Sequence, residues 1–580
     1  MDTLAAQLTD LVTAAAIAAG FDPAFPVESA VPTGNPQHGD YQSNHAFRLA
    51  KSLKQNPRQV AEAIKARIPA HPLVATTAVA GPGFINITLA DDALGVDVVA
   101  RAKHPKIGTP QLGAGRTMVI DYSSPNVAKR MHVGHLRSTV IGNAIDRLHR
   151  YLGWNVVADN HIGDWGTPFG KLIVMWDDVR DEAAFESDPI GELQRLYQGF
   201  GAREKADPSL IERARAETVK LQQGDARNRA LWARFVAESM REFDGVYERL
   251  GVRFDVVHGE SFYRDQLEDL VAELMARGLA EPSDGAVVVR FGEEAPQLAD
   301  HPMLVRKSDG GAMYATTDLA TARHRVETWR PSRIVIVTDV RQRLHFDQVF
   351  AASRKVGFVP AGVELVHIGF GMLKLPGGQI VATRSATGDG SLNLVDVFDA
   401  ARTHARAVVD EKSPDLPEAE RDRIAEAVGV GAIRYADLSQ NPATDLTFEW
   451  DRILSLTGNT APYLMIAYAR CRSIFRKGGV EDFEPTACTI SHPSERALAL
   501  KIARTAEVIV DAANGYRPSV LCAHLFELSG VFADFYRDCP VLRDDVDAAT
   551  RASRLALTFA TARAMSEGMQ LVGLVPLERM

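Results

Sequence analysis

Residues 118–166 read MVIDYSSPNVAKRMHVGHLRSTVIGNAIDRLHRYLGWNVVADNHIGDWG, and the rest of the chain is organised around them. The run from Met118 to Ser123 alternates apolar residues and reads as a strand. Pro125 and Asn126 mark a loop, and His132-Val133-Gly134-His135 opens a helix. Leu136, Val140, Ile141, Ala144, Ile145, Leu148 and Leu152 then recur at helical spacing, so one face of that helix packs on a sheet. Trp154 to Ala158 reads as the next strand.

A strand, a tight loop and a helix N-terminus make an anion site, because unpaired backbone N–H groups and the positive end of the helix dipole face the ligand. His132 and His135, three residues apart, point into it and can donate to a phosphate oxygen. Gly134 has no Cβ to keep a flat nucleotide base from the backbone. That chemistry suits attack at the α-phosphate of ATP, where positioned donors stabilise the charge that develops on oxygen. Taken alone, the four residues are equally a surface histidine pair beside a helix cap.

The chain has 580 residues, 46% of them apolar, which predicts three or four domains with ample core. A net charge of −9 excludes a uniformly basic nucleic-acid coat but leaves room for a local basic stripe. Cys471, Cys488, Cys522 and Cys539 have no C-x-x-C spacing, so neither a zinc site nor a disulfide framework is expected. The first 20 residues carry Asp2 and Asp10 without a basic leader and read as an amphipathic helix rather than a signal peptide. No apolar run is long enough to span a membrane, and a cytoplasmic protein is the default.

Residues 1–103 mix helical patterns (Leu4 to Ala19, Ser43 to Leu53, Arg58 to Ile68) with a strand at Phe84 to Leu89, the pattern of an α+β domain. The Gly- and Pro-rich stretch 104–115 reads as a linker. From 117 to 410 strands alternate with helices, which predicts an α/β domain with a parallel sheet. Its strand candidates are Met118 to Ser123, Asn155 to Ala158, Ile334 to Thr338 and Val363 to Ile368. An insertion spans about 167–300, helical from Pro189 to Leu250. From 411 to 580 strand signals fade, and helical periodicity fills Arg421 to Leu438, Ile453 to Phe475, Arg496 to Asn514, Val520 to Tyr536 and Thr550 to Val572, an all-α domain.

Several further stretches join the first: HIGDWGTPFG (161–170), FDVVHGES (254–261), Tyr314 and Asp318 in MYATTDLA, DVRQRLH (339–345), FGM (370–372), GNTAPYL (458–464), DCPV (538–541) and the terminal ERM. With SSPNVAKRMHVGHLRST (123–139) they run in the order found in class I aminoacyl-tRNA synthetases, and the chain most closely resembles the bacterial arginyl-tRNA synthetases. The resemblance implies a Rossmann-type catalytic domain, an N-terminal domain that touches the tRNA elbow and a helical anticodon-binding domain. It implies that arginine and ATP give arginyl-adenylate and pyrophosphate, and that the arginyl group then passes to tRNA(Arg). The first step usually requires bound tRNA in that family. Mg2+ is expected only as the ATP counterion, with no structural metal, and a monomer off the membrane is expected.

Carried over residue by residue, the resemblance makes His132 and His135 catalytic and, with Gly134 and Thr383, ATP-binding. Guanidinium is planar, permanently charged and rich in donors, so a selective pocket needs carboxylates at more than one edge; Glu260 and Asp318 stand where the family places them. Tyr314 and Asp318 are four apart, on one face of a helix. Ser124 and Asn126 match residues that hold the amino and carboxylate end of arginine, and Gln342 matches another pocket residue. The second class I motif, Lys-Met-Ser-Lys-Ser in most relatives, is reduced to Thr383 and Arg384 followed by Ser385, and Lys129 is expected to supply the missing cation. Phe84 and Asn86 match the elbow module, where they would stack on and hydrogen-bond an unpaired base, and Tyr536 is a candidate anticodon contact. Read singly, the pocket residues are also surface polar residues, Phe84 a core aromatic and Lys129 a solvated loop lysine. The competing readings are a tRNA-binding paralogue without catalysis, for which the degenerate second motif would be the sign, and another H-x-G-H nucleotidyltransferase such as a cytidylyltransferase.

Overall fold

The structure, a computed structural model, describes residues 1–25, 28–308, 314–374, 393–447 and 449–580. It divides into two compact units, one of residues 1–112, 412–415 and 455–580, the other of residues 113–411 and 416–454.

The second unit is built on four parallel strands in the order Glu364–Phe370, Arg333–Asp339, Thr117–Asp121, Asn155–Asp159. All four predicted strands are present within two residues of their expected ends. Their β-branched, apolar runs suit a sheet buried on both faces, and Val119, Ile120, Val335 and Val337 are fully buried. The chain leaves Thr117–Asp121 through helix Val133–Tyr151 to Asn155–Asp159 on one side, while Arg333–Asp339 pairs on the other. Strand order therefore reverses beside Asp121, and in open α/β sheets the crevice at such a reversal, at the carboxyl ends of the strands, binds ligands. The loop leading to His132 starts there.

The insertion from Pro189 to Leu250 is helical as expected, in Pro189–Ala206, Ser209–Gln223 and Ala226–Leu250. Its end instead forms a small antiparallel sheet, Glu281–Ser283, Ala286–Val289 and Met303–Arg306. The AVVV run is its sequence signal. Helix Glu418–Leu438 also belongs to this unit: buried Arg137 on the Val133–Tyr151 helix pairs with buried Asp437 at 2.9 Å and donates to the carbonyls of Gly371 (2.7 Å) and Thr444 (2.8 Å).

In the other unit a four-stranded antiparallel sheet, ordered Val31–Pro32, Tyr41–Ser43, Phe84–Leu89, Val74–Ala80, packs with helices. Five longer helices, Ala461–Gly478, Pro493–Ala503, Thr505–Asn514, Pro518–Asp538 and Ala548–Leu571, make up the rest. The expected single helix from Ile453 to Phe475 is broken, because Gly458 adopts φ +82° and Thr460 caps a new helix with Pro462 in its first turn. The expected helix from Arg496 to Asn514 is likewise two, divided at Arg504. The N-terminal and helical parts share a polar seam. Arg496 grips Asp40 (2.9 and 2.8 Å) and Asp91 (2.7 Å), and buried Glu507 accepts from the Tyr41 hydroxyl (3.0 Å) and the Ala5 amide (2.8 Å). Among the described residues no helix is long and apolar enough to cross a membrane.

Candidate active site

The loop from Ser123 to Arg130 is held in a conformation that its sequence alone disfavours. Ser123, Ser124 and Ala128 have φ of 75°, 47° and 61° without being glycine, each at a cost of about 1–3 kcal/mol that the surroundings must offset. Hydrogen bonds to every one of those three amides do so: Ser123 N donates to Ser138 Oγ (2.9 Å), Ser124 N to Asn160 Oδ1 (3.0 Å) and Ala128 N to Ser239 Oγ (2.9 Å). Asn160 is itself fixed by the Tyr247 hydroxyl (3.1 Å), which also meets Ser123 Oγ at 2.8 Å. Ser124 Oγ donates to Asp121 Oδ1 (2.8 Å), whose other oxygen accepts from Arg325 (2.6 Å), and Arg325 also grips Asp159. Asn126 bridges to Gly163, where a Cβ would stand 2.1 Å from Asn126 Oδ1. Ser124 is half-buried and Asn126 exposed.

His132 is the N-cap of helix Val133–Tyr151 and forms a capping box with His135. Gly134 N donates to His132 Nδ1 (3.0 Å), His132 N donates to His135 Nδ1 (3.2 Å), and the two rings stack with centroids 4.0 Å apart. With both Nδ1 atoms accepting, each neutral ring carries its proton on Nε2. Burial, reinforced by the charge of Lys129, lowers the pKa of both, that of His135 to about 3. The pair therefore presents two neutral N–H donors at physiological pH, and the proton position comes from the helix cap. Of the adjacent cations, Arg130 pairs with Asp188 and Glu242. Lys129 has no carboxylate partner among the described residues; its Nζ lies 4.6 Å over the Tyr197 ring. Thr383 and Arg384 lie outside the described residues.

Glu260 opens the short helix Glu260–Tyr263. Its carboxyl has no hydrogen-bond partner among the described residues, and burial, with Asp164 and Asp318 nearby, pushes its pKa up to about 8. Asp318 lies on helix Tyr314–Trp329 and meets His345 Nε2 at 2.6 Å. Tyr314, 68% exposed, begins that helix, close enough for Glu260 to raise its pKa after burial has done so. Gln342 is exposed at the end of the turn Val340–Gln342. Glu260 is thus the electrostatic neighbour of Asp164, Asp318 and Tyr314, an acid-rich cluster that favours a cation. Asp164, Asn160, Ser239 and Tyr247 went unassigned in the sequence. Only Asp164 had a signal, its place within HIGDWG.

Phe84 and Asn86 lie on the face of their strand opposite buried Ile85, Ile87 and Leu89. Phe84 is half-buried against Phe47, and Asn86 is buried between Gln42 and Ala78 of the neighbouring strands. Tyr536 is 44% exposed, with the Arg470 guanidinium 5.8 Å from its ring centre. Among the described residues no group of three or more His, Cys, Asp or Glu side chains could hold a metal ion.

Three family profiles match in succession: the arginyl-tRNA synthetase N-terminal domain over residues 5–89, the class I tRNA synthetase (R) catalytic domain over 99–450 and the DALR anticodon-binding domain over 464–580. An arginine–tRNA ligase of Fusobacterium nucleatum is 41% identical over 96% of this chain and 95% of its own length. One from Frankia casuarinae is 42% identical over 97% of both. Among solved structures, the arginyl-tRNA synthetases of Plasmodium falciparum (TM-score 0.84, 26% identity) and Thermus thermophilus (TM-score 0.83, 25% identity) cover all of this chain and are covered in full. These matches span the whole length and include the catalytic domain, so the chain belongs to the arginyl-tRNA synthetases, class I ligases that join arginine to tRNA, and is not a paralogue without a catalytic domain.

Proposed function

We infer that the chain makes arginyl-tRNA in two steps at the crevice beside Asp121. The arginine carboxylate attacks the α-phosphorus of ATP, the bond to the bridging oxygen breaks, and pyrophosphate leaves. A hydroxyl of the terminal ribose of tRNA(Arg) then attacks the adenylate carbonyl and AMP leaves. The Nε2–H donors of His132 and His135 stabilise the charge that grows on the α-phosphate, with the backbone at Gly134 and residue Thr383 beside the nucleotide. Lys129, free of a carboxylate partner among the described residues, follows the charge onto pyrophosphate, with Arg384 as the second cation. Mg2+ would arrive with ATP as its counterion.

Glu260 and Asp318 read the guanidinium, Tyr314 and Gln342 line its pocket, and Ser124 and Asn126 hold the amino and carboxylate end. The observation that carries this reading is the half-buried Glu260 carboxyl, unpartnered among the described residues and crowded by two further acids. Residues 1–103 with Phe84 and Asn86 meet the tRNA elbow, the unit of residues 113–411 and 416–454 catalyses, and the helices of 455–580 with Tyr536 meet the anticodon. The enzyme works as a monomer in the cytoplasm. Calorimetry on Glu260→Gln tests the assignment: arginine affinity should fall steeply, by about 2–5 kcal/mol for a desolvated charge pair, while ATP binding persists. Unchanged arginine affinity would refute it.

A further inference from the structure

The carboxyl of Glu260 is aimed by a support that no substrate role accounts for. Asp164 is 4% exposed, and both its oxygens are committed to the residue after Glu260: Ser261 N donates to Oδ1 (2.8 Å) and Ser261 Oγ to Oδ2 (2.6 Å). On the other flank, a Cβ on Gly259 would stand 2.4 Å from Asp164 Oδ1 and 2.5 Å from its carboxyl carbon. The backbone of Asp164 is pinned as well. Its carbonyl accepts from Trp232 Nε1 at 2.7 Å, and its amide shares the Ile162 carbonyl with the amide of Glu260, each at 3.1 Å. Residues 259–261 therefore close on Asp164 as a clamp with Glu260 at its centre.

We propose that Asp164 is the positioning residue for guanidinium recognition, acting through Ser261 and the Cβ-free Gly259 to set the direction and depth of the Glu260 carboxylate. The inference rests on the reading of Glu260 as the guanidinium-binding group. Asp164 does not touch the substrate. Its negative charge, after burial, also helps to keep Glu260 protonated until a cation arrives. Empty and loaded pockets then differ by one proton, and the depth of the carboxyl selects a planar, forked cation over a shorter or uncharged side chain.

Three variants test this by calorimetry with arginine and, separately, with ATP. Asp164→Ala removes the clamp and should raise the arginine Kd about 10- to 100-fold, the scale expected for an ångström-sized misplacement, with the ATP Kd unchanged. Asp164→Asn, which can accept from Ser261 N and donate to Ser261 Oγ, should restore most of that affinity while fewer protons are released per arginine bound. Gly259→Ala should behave like Asp164→Ala, and it carries the test if that variant does not fold. Wild-type arginine affinity in either Ala variant, or equal loss of arginine and ATP binding, overturns the positioning role. Glu260→Gln, run alongside, separates the two levels. If it binds arginine normally, the reading beneath fails; if it loses arginine while the Ala variants keep it, only the clamp fails.

Discussion

Arginine affinity should rise with pH across the neutral range. Glu260 in the ligand-free pocket titrates at about 8, raised by burial and by Asp164 and Asp318. Guanidinium stays charged throughout and binds the ionised carboxyl. A group held protonated below its raised pKa must lose the proton for the ligand to bind, so binding strengthens as pH climbs toward 8. At pH 7 about one tenth of the molecules are ionised, which weakens apparent affinity about tenfold, and at pH 6 about a hundredfold. The arginine Kd should thus fall about ninefold from pH 6 to 7, about fivefold from 7 to 8 and under twofold beyond. Near pH 7, about 0.9 proton should be released per arginine bound, read by calorimetry in buffers of different ionisation enthalpy. Glu260→Gln removes the titrating group and should flatten the profile. A wild-type Kd that does not move between pH 6 and 8, or a slope that survives in Glu260→Gln, would refute the reasoning.

Replacing His132 or His135 by Ala should slow arginine-dependent ATP–pyrophosphate exchange, measured with tRNA present, by about 10²- to 10³-fold. Arginine affinity should barely change, and a normal exchange rate would sink the assigned role. Lys129→Ala should lower the maximal exchange rate by about 10²-fold or more with little effect on arginine or tRNA affinity, the pattern of an interaction made in the transition state. Ser385→Lys in that background should recover part of the loss; a Lys129→Ala enzyme at the wild-type rate would leave Arg384 as the compensating cation. Arg496→Ala strips Asp40 and Asp91 of their ion-pair partner, leaving Asp40 the Leu89 amide, and should destabilise the unit that contains it by about 2–3 kcal/mol, less than a fully buried pair because Arg496 is partly exposed. Hydrogen exchange should speed up in residues 1–112 and 455–580 together; loss of protection in the helices alone would argue against a shared seam.

Much of this protein is written in short-range pattern. The β-branched runs at 117–121 and 333–339 form strands because such side chains fit a pleated, buried surface. The stretch around His132 opens a helix because the apolar spacing that follows it has a helical period. The ordered motifs alone carry the resemblance to the family. Local pattern failed where a single capping residue decided the outcome, as at Thr460, and where a short run, AVVV, paired inside a mainly helical insertion.

The tertiary structure alone decided the chemistry of the site, because that chemistry depends on distances between residues far apart in the chain. His132 and His135 are legible as a pair, but their neutral Nε2–H form follows from backbone amides that occupy both Nδ1 atoms. Glu260 and Asp318 are legible as acids, but only folding brings the former, half-buried, beside Asp164 and raises its pKa. Nothing local in 1–112 or 455–580 announces that Asp40 will meet Arg496 or Tyr41 meet Glu507. Periodicity reports which face of an element is buried; desolvation and Coulomb energy depend on what that face is buried against, and only the fold supplies it.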